Sequence, residues 1–240
     1  MNLLRSLLYF LALDVSVVVF SLLIVLLGAF LPGGFSDRMA TQWGKLNLWL
    51  QRIICGLRYQ LEGQEHLPEG PCILMSKHQS TWETIGLRGI LKPEQSWVLK
   101  QELMSLPFFG WGLGFTGAIP IDRSAGRRAV LKVVELGLQR LAEGRYVIIF
   151  PEGTRTAPGQ RKRYGVGGGL LAQRSGAPVI PVAHNAGVFW RRRGVKKYPG
   201  TIRVVIGPAI FSEGRKAAEI MQDVEEWIEK KQIELPLKAF

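Results

Sequence analysis

The stretch CILMSKHQSTWE, residues 72–83, begins as an apolar run and ends as a polar loop. The run is typical of a buried strand, and His78 and Glu83 follow it five positions apart. A histidine and a carboxylate just past a strand end can serve as a general base and the acid that orients it. The spacing alone is a weak signal, because the same residue types occur at this separation by chance in many proteins.

A second polar loop occupies a similar place. FPEGTR, residues 150–155, directly follows the apolar run Tyr146 to Ile149. An α/β sheet builds its functional sites from loops that follow strand ends. The two loops are therefore predicted to contribute to one site.

Four sequence blocks, in one order, resemble the glycerolipid acyltransferase family and fit its branch that acylates 1-acylglycerol 3-phosphate. The blocks are residues 78–83, with a histidine and an acid at the two ends, GAIPIDR at 117–123, FPEGTR at 150–155 and VIPVA at 179–183. The family's usual aspartate in the first block is Glu83 here, and its extra methylene moves the carboxylate outward. Glutamate still accepts a hydrogen bond from imidazole, so the resemblance implies a retained histidine–acid dyad.

The resemblance implies that a fatty acyl group is transferred from acyl-CoA or acyl carrier protein to the sn-2 hydroxyl of 1-acyl-sn-glycerol 3-phosphate (lysophosphatidic acid). The product would be phosphatidic acid, in phospholipid biosynthesis, with no cofactor besides the acyl donor. Two alternatives stay open: the same chemistry on glycerol 3-phosphate, another lysophospholipid or a lyso-ornithine lipid, and hydrolysis of the thioester by water. The chain has no Gly-x-Ser-x-Gly motif, which argues against a hydrolase.

His78 is the candidate general base. Acyl transfer to an alcohol removes the hydroxyl proton, and imidazole is the side chain whose ordinary pKa lies nearest neutrality. Glu83 would accept a hydrogen bond from the far ring nitrogen and stabilise the imidazolium. The alternative is a histidine held by local helix capping, with Glu83 as an acid in the first turn of a helix.

The resemblance assigns the FPEGTR block to the glycerol phosphate. Arg155 follows Gly153 and Thr154 in a tight loop, where glycine allows close backbone approach and the guanidinium can bind phosphate with two hydrogen bonds. Glu152 either orders this loop or binds the glycerol. All four residues are therefore predicted to serve substrate binding.

Two further cations are candidates for the phosphate. Lys100 stands where similar enzymes carry a second phosphate-binding cation. Arg123 is interpreted equally as substrate-binding or as the partner of Asp122 in a structural ion pair. The apolar stretch between Leu103 and Phe115 is interpreted equally as an acyl-chain tunnel or as ordinary core.

The charge balance favours anionic partners. The chain has 31 Lys and Arg residues against 19 Asp and Glu residues, a net charge of +12. Basic runs at 161–163 and 191–193 are interpreted as solvated faces or contacts with anionic lipid rather than as catalytic groups. A membrane anchor and the lack of a clustered aromatic and basic motif argue against nucleic acid as a partner.

An apolar run from Leu7 to Leu31 is long enough to cross a bilayer, which takes about 20 residues. No small-x-small cleavage site follows it convincingly, which disfavours a removed signal peptide. Asp14 would be costly at the middle of the bilayer, so the helix either spans or only dips in. Most basic residues follow the run, and the positive-inside rule therefore places the rest of the chain on the cytoplasmic face of the inner membrane.

Residues 41–57 predict an amphipathic helix, which either packs on the domain or lies among lipid headgroups. Its apolar positions are Trp43, Leu46, Leu50, Ile53, Ile54 and Leu57. Residues 1–57 are therefore predicted to form a membrane anchor that contacts the phospholipid bilayer, and residues 58–240 the catalytic domain. Cys55 and Cys72 offer neither a disulfide framework nor a zinc site, so we expect a reducing compartment and no metal.

Short apolar runs alternate with longer helical patterns in the second part of the chain. Strands are predicted at 58–62, 72–75, 96–99, 118–121, 146–150, 179–183 and 201–206. Helices are predicted at 124–143, 166–175 and 212–231. This alternation predicts an α/β fold with a mixed sheet flanked by helices, preceded by a helical membrane-anchoring segment.

Overall fold

A sheet of seven strands forms the centre of the chain in the computed structural model, which describes residues 2–31 and 34–237. The strands are β1 (Leu57–Glu62), β2 (Ile73–Ser76), β3 (Gln95–Lys100), β4 (Ile119–Ile121), β5 (Tyr146–Ile149), β6 (Val179–His184) and β7 (Gly200–Ile206). Their order across the sheet is β1-β7-β6-β2-β5-β3-β4, and only β6 and β7 pair antiparallel among these strands. The predicted mixed sheet is confirmed, with each strand close to its predicted position.

Eight α-helices occur within the described residues. They are α1 (Asn2–Leu27), α2 (Phe35–Leu50), α3 (Trp82–Ile90), α4 (Phe109–Gly114), α5 (Arg127–Ala142), α6 (Gly167–Ser175), α7 (Ala186–Phe189) and α8 (Ala217–Glu234). A π-helical turn, Gln51–Cys55, continues α2 toward β1. α8 begins later than predicted, because Ser212 and Arg215 form a turn in which the Arg215 N–H donates to the Ser212 carbonyl at 3.2 Å.

The side chains of β2 alternate between the two faces of the sheet. Leu74 belongs to a core that contains Leu13 of α1 and Trp82 of α3. Ile73 and Met75 belong to a second core that contains side chains of α5, α6 and α8. Helices therefore cover both faces, which confirms the predicted fold class.

The first helix is long and apolar enough to cross a membrane, with a mean hydropathy of 2.8 over its most apolar window. Its inner face packs against the rest of the chain at both ends. Ser6 Oγ accepts the Lys197 N–H at 2.9 Å, and Ser21 lies against Gly112 of α4. Asp14 lies on the exposed side. Exposed apolar residues on that side include Leu4, Leu8, Leu11, Val15, Val19 and Leu26.

The buried face of α2 coincides only in part with the predicted apolar stripe, of which Trp43, Leu50 and Ile54 are partly buried against the core. The buried positions are Ser36, Asp37, Thr41, Gly44, Asn47 and Leu48. Gly44 packs directly on Gly89 of α3, where a Cβ at residue 44 would lie 2.5 Å from the Gly89 nitrogen. Trp49 and Ile53 are 55% and 59% exposed. Close backbone packing and polar contacts, together with the buried Leu48, form the inner face of this helix.

A buried carboxylate ties α2 to the sheet. Asp37 accepts two hydrogen bonds from Arg145 at 2.7 Å each and one from Arg88 at 3.2 Å. Leu57, the last residue of the predicted anchor, is the first residue of β1. The division into residues 1–57 and 58–240 stays a prediction, and the two parts share this ion-pair network.

Candidate active site

The carboxyl ends of parallel strands bring the two predicted loops together. β2 pairs in parallel with β5 and β6, and β3 pairs in parallel with β5. Residues 77–83 follow β2, residues 150–155 follow β5, and Lys100 ends β3. These segments surround a cavity of about 560 Å³ at one edge of the sheet.

His78 and Glu83 form a buried pair in this cavity's wall. His78 Nδ1 lies 2.8 Å from Glu83 Oε1. The imidazole stacks on Phe150, with ring centroids 4.0 Å apart and planes inclined by 14°. Nε2 has no hydrogen-bond partner among residues 2–31 and 34–237, and His78 lines the cavity. One ring nitrogen thus faces the carboxylate and the other is available to the cavity.

Glu83 lies in the first turn of α3, and its carboxylate turns back toward the preceding loop. Oε1 also accepts the backbone N–H groups of Gln79 and Ser80, each at 2.7 Å. The same carboxylate therefore contacts the imidazole and holds the backbone of the loop that precedes the helix. The two interpretations of Glu83, dyad member and first-turn acid, are compatible.

The Glu83 carboxyl has a pKa below its ordinary value. Burial acts to raise this pKa, but the nearby imidazoles of His184 and His78 and the Ser80 N–H outweigh burial. An ionised carboxylate accepts a hydrogen bond from Nδ1–H, and in this tautomer the lone pair of the neutral ring is on Nε2. Nε2 of His78 can therefore act as a base toward a molecule in the cavity.

His184, at the end of β6, supports the loop from behind. Its Nε2 lies 2.8 Å from the Lys77 carbonyl, and its Nδ1 accepts the Ala186 N–H at 3.2 Å. A neutral imidazole satisfies both contacts, and burial lowers the pKa of His184. His184 thus holds the carbonyl of Lys77, the residue directly before His78.

Glu152 faces the protein interior. Its Oε1 lies 2.8 Å from Lys77 Nζ and accepts the Thr156 hydroxyl at 2.7 Å, while Oε2 accepts the His78 N–H at 2.6 Å. Both oxygens are engaged, and Glu152 is not part of the cavity lining within the described residues. This geometry favours loop ordering over the alternative of glycerol binding.

The C-terminal helix α8 holds the same loop. Lys77 Nζ lies 2.7 Å from Glu229 Oε1, and Gln79 Nε2 donates to Gln232 Oε1 at 2.7 Å. The residues on both sides of His78 are therefore tied to α8. The sequence does not predict these contacts, because the partners lie 152 and 153 positions apart and share no local pattern.

The predicted phosphate-binding residues lie together. Lys100, Arg123, Thr154 and Arg155 all line the cavity that His78 faces. Burial lowers the pKa of Arg123, and the positive charge of Arg155 acts in the same direction. Arg123 and Arg155 form no ion pair with a carboxylate in the part of the chain that the structure describes. Glu102 acts on Arg123 only from a distance, so two arginines without a directly paired carboxylate provide a site for an anion.

Three residues beside Arg123 and Arg155 make contacts of their own within the protein. Asp122 accepts the Ser124 N–H and hydroxyl at 2.8 and 2.6 Å, so the alternative ion pair between Asp122 and Arg123 is not formed. Lys100 pairs with Glu102 at 2.5 Å on the exposed surface. Gly153 takes φ 66°, which suits glycine, and its N–H closes a turn to the Phe150 carbonyl at 3.0 Å.

The other end of the cavity is apolar. Its wall includes Phe20, Ile24, Trp43, Leu103, Phe109 and Leu113. The first helix and the stretch from Leu103 to Phe115 thus both contribute to the lining. This placement favours the acyl-chain interpretation of that stretch over ordinary core.

Two arginines from the basic run at 191–193 also reach the cavity wall. Arg192 and Arg193 line it together with Arg155. The expectation for this run was a solvated or lipid-contacting face, since three adjacent arginines give no indication of which cavity they border. Among residues 2–31 and 34–237, no group of three His, Cys, Asp or Glu side chains is placed to hold a metal ion.

Comparison with known proteins gives the same assignment as the four sequence blocks. The acyltransferase family model matches residues 58–185. The 1-acyl-sn-glycerol-3-phosphate acyltransferase of Pseudomonas aeruginosa is 44% identical over 235 residues, which are 96% of this chain and 91% of that protein. The 1-acyl-sn-glycerol-3-phosphate acyltransferase beta of Homo sapiens is 29% identical over 167 residues, 69% of this chain and 60% of that protein.

A solved structure has the same fold. The crystal structure of the 1-acyl-sn-glycerophosphate (LPA) acyltransferase PlsC from Thermotoga maritima aligns with a TM-score of 0.80 over 97% of this chain and 95% of that one. The identity between the two is 22%, so this likeness supports the fold. The extent of the family match and the identity to the Pseudomonas protein show that this chain belongs to the acyltransferase family.

Proposed function

We propose that this enzyme transfers a fatty acyl group from a thioester donor to the sn-2 hydroxyl of 1-acyl-sn-glycerol 3-phosphate, forming phosphatidic acid. The observation that carries the proposal is the imidazole of His78, oriented by Glu83 at 2.8 Å, with its second nitrogen available to a cavity lined by arginines. The relatives named for this activity support the acceptor. The donor is acyl-CoA or acyl carrier protein.

His78 acts as the general base in the proposed mechanism. Nε2 takes the proton of the acceptor hydroxyl as the oxygen attacks the thioester carbonyl, and Glu83 stabilises the resulting imidazolium through Nδ1–H. The tetrahedral intermediate then collapses with cleavage of the C–S bond. The leaving thiolate takes the proton from Nε2, so the products are an ester and a thiol. These steps use no metal and no cofactor besides the donor.

The cations position the acceptor. Arg155 and Arg123, with Thr154 beside them, bind the phosphate of the acceptor, and Lys100 adds a third positive charge. Glu152 and Gly153 act indirectly, because they fix the loop that carries Arg155. The apolar end of the cavity receives an acyl chain.

The bilayer is the proposed source of the acceptor. α1 is the candidate anchor, and its contacts with the domain at Ser6 and Ser21 leave its apolar outer side exposed. Because the domain lies along this helix, and Asp14 is on the exposed side, we favour a helix embedded in one leaflet over a spanning helix. The excess of Lys and Arg favours the anionic lipids of the cytoplasmic face of the inner membrane, and the proposal includes no nucleic acid as a partner.

An acceptor panel tests this function. Purified full-length protein is incubated with radiolabelled acyl-CoA or acyl carrier protein and, separately, with lysophosphatidic acid, glycerol 3-phosphate, other lysophospholipids and a lyso-ornithine lipid. We expect label in phosphatidic acid. Preferential labelling of another lipid would reject the acceptor, and release of free fatty acid alone would indicate a thioesterase.

A further inference from the structure

The opening of the cavity carries more positive charge than one phosphate monoester needs. Lys100, Arg123 and Arg155 supply three cations, of which Lys100 is paired with Glu102, and a phosphomonoester carries about two negative charges. Arg192 and Arg193 add two guanidiniums to the same wall. Neither forms an ion pair with a carboxylate within the described ranges, 2–31 and 34–237. This excess indicates a second anionic group beside the acceptor phosphate.

A defined turn presents these two guanidiniums. The Gly194 N–H donates to the Arg191 carbonyl at 2.9 Å, and the buried Trp190 donates its Nε1–H to the Gly194 carbonyl at 3.1 Å. Arg193 has φ 57°, a left-handed conformation that non-glycine residues rarely adopt. Such backbone geometry persists only where the surrounding structure imposes it, and it is concentrated at functional sites.

The turn borders the acceptor site. Arg192 Nη1 donates to the carbonyl of Arg155 at 2.9 Å, which is the one side-chain hydrogen bond of the two guanidiniums in the described part of the chain. Both residues are exposed and also line the cavity, which places them at its opening. Most of their N–H donors are therefore free for a ligand that enters from solvent.

We infer that Arg192 and Arg193 bind the phosphate of the donor's phosphopantetheine arm. The inference rests on the proposed function, since it requires a thioester donor. CoA and acyl carrier protein both carry the acyl group on this arm, whose thioester end has to reach His78 while its phosphate stays near solvent. Two guanidiniums at the opening, next to Arg155 but on another loop, fit this arrangement, because arginine binds phosphate with paired hydrogen bonds.

Binding of two unreactive analogues to the full-length protein in detergent tests the contact. S-hexadecyl-phosphopantetheine and S-hexadecyl-pantetheine differ in the phosphate alone, and we expect the wild type to bind the phosphorylated one about tenfold or more tightly. R192A/R193A should bring this ratio close to one. R191A/K196A, which removes two exposed cations of the same loop outside the cavity lining, should preserve it. A wild-type ratio near one, or an unchanged ratio in R192A/R193A, overturns the inference.

The single variant R193A repeats the test in case the double variant R192A/R193A misfolds. The Arg193 side chain makes no hydrogen bond to the described residues, so its loss need not disturb the turn. We expect R193A to lower the binding ratio in the same direction as the double variant. A folded R193A with the wild-type ratio counts against the inference.

Turnover with each donor separates the possible sources of the phosphate. R193A, which leaves the contact of Arg192 with Arg155 intact, should raise KM for acyl-CoA or acyl carrier protein, whichever the enzyme uses, and leave KM for the acceptor largely unchanged. A rise in the acceptor KM alone, or weaker binding to phosphatidylglycerol vesicles with unchanged donor KM, would overturn the assignment. Analogue binding needs no turnover, so a protein that fails to acylate lysophosphatidic acid but keeps the phosphate discrimination would refute the proposed acceptor and still support this site.

Discussion

Glu229 Oε1, on the C-terminal helix, lies 2.7 Å from the Nζ of Lys77, the residue directly before His78. Lys77 Nζ also lies 2.8 Å from Glu152 Oε1, and Glu152 Oε2 accepts the His78 N–H at 2.6 Å. A chain of charge-assisted contacts therefore runs from α8 to the backbone of the proposed base. Lys77 is 1% exposed, so this buried cation depends on both carboxylates for its charge balance.

Glu229→Gln should destabilise the protein by about 1.5–3 kcal/mol, the range for a hydrogen bond to a charged group. Glu152 remains as a partner of Lys77, which limits the loss. Denaturant unfolding in detergent measures the change, with Glu226→Gln on the exposed side of the same helix as the control. Equal stability of the two variants would show that the Lys77–Glu229 contact contributes little.

Glu83→Gln should reduce kcat strongly, because an amide can hold the imidazole but does not stabilise its cation. Glu83→Asp should keep partial or good activity, since a carboxylate is retained and Gln79 and Ser80 can still donate to it. Steady-state kinetics of both variants distinguish these cases. A wild-type kcat in Glu83→Gln would show that Glu83 is only an acid in the first turn of α3.

Arg155→Ala should raise KM for lysophosphatidic acid much more than KM for the acyl donor. The lost charge-assisted contact is worth about 1.5–3 kcal/mol, which corresponds to roughly 10- to 150-fold. Lys100→Ala should act in the same direction but less, because Lys100 is exposed and already pairs with Glu102. Arg163→Ala, an exposed arginine outside the cavity lining, is the control. Equal damage to both substrates would assign Arg155 to loop structure.

Asp37→Asn should destabilise the fold by about 3–5 kcal/mol, because Arg88 and Arg145 lose the carboxylate that both contact. Thermal unfolding of Asp37→Asn measures the loss of stability. Asp223→Asn, which removes a more exposed carboxylate partner of Arg215, is the control. A small effect would favour residues 1–57 as a separable anchor. A large effect would place α2 within the folded catalytic unit.

The sequence was most informative where the chemistry is local. Apolar runs predicted the strands, and the blocks around His78 and Arg155 predicted residues that the fold brings to one cavity. The burial of Gly44 and Asp37 on α2 was not predicted, because these residues pack through backbone contact and charge rather than through apolar side chains. The contact of Glu229 with Lys77 was not predicted either, because tertiary structure alone brings the two together.

The activity of His78→Ala shows whether His78 removes the proton of the acceptor hydroxyl. The side chain is mostly buried but lines the cavity, so its truncation should leave the circular dichroism and unfolding temperature close to wild type. If His78 is the general base, kcat/KM for acyl transfer to lysophosphatidic acid should fall at least about 100-fold, the lower range for loss of a general base. A folded His78→Ala protein that keeps more than a few per cent of wild-type kcat/KM would contradict it.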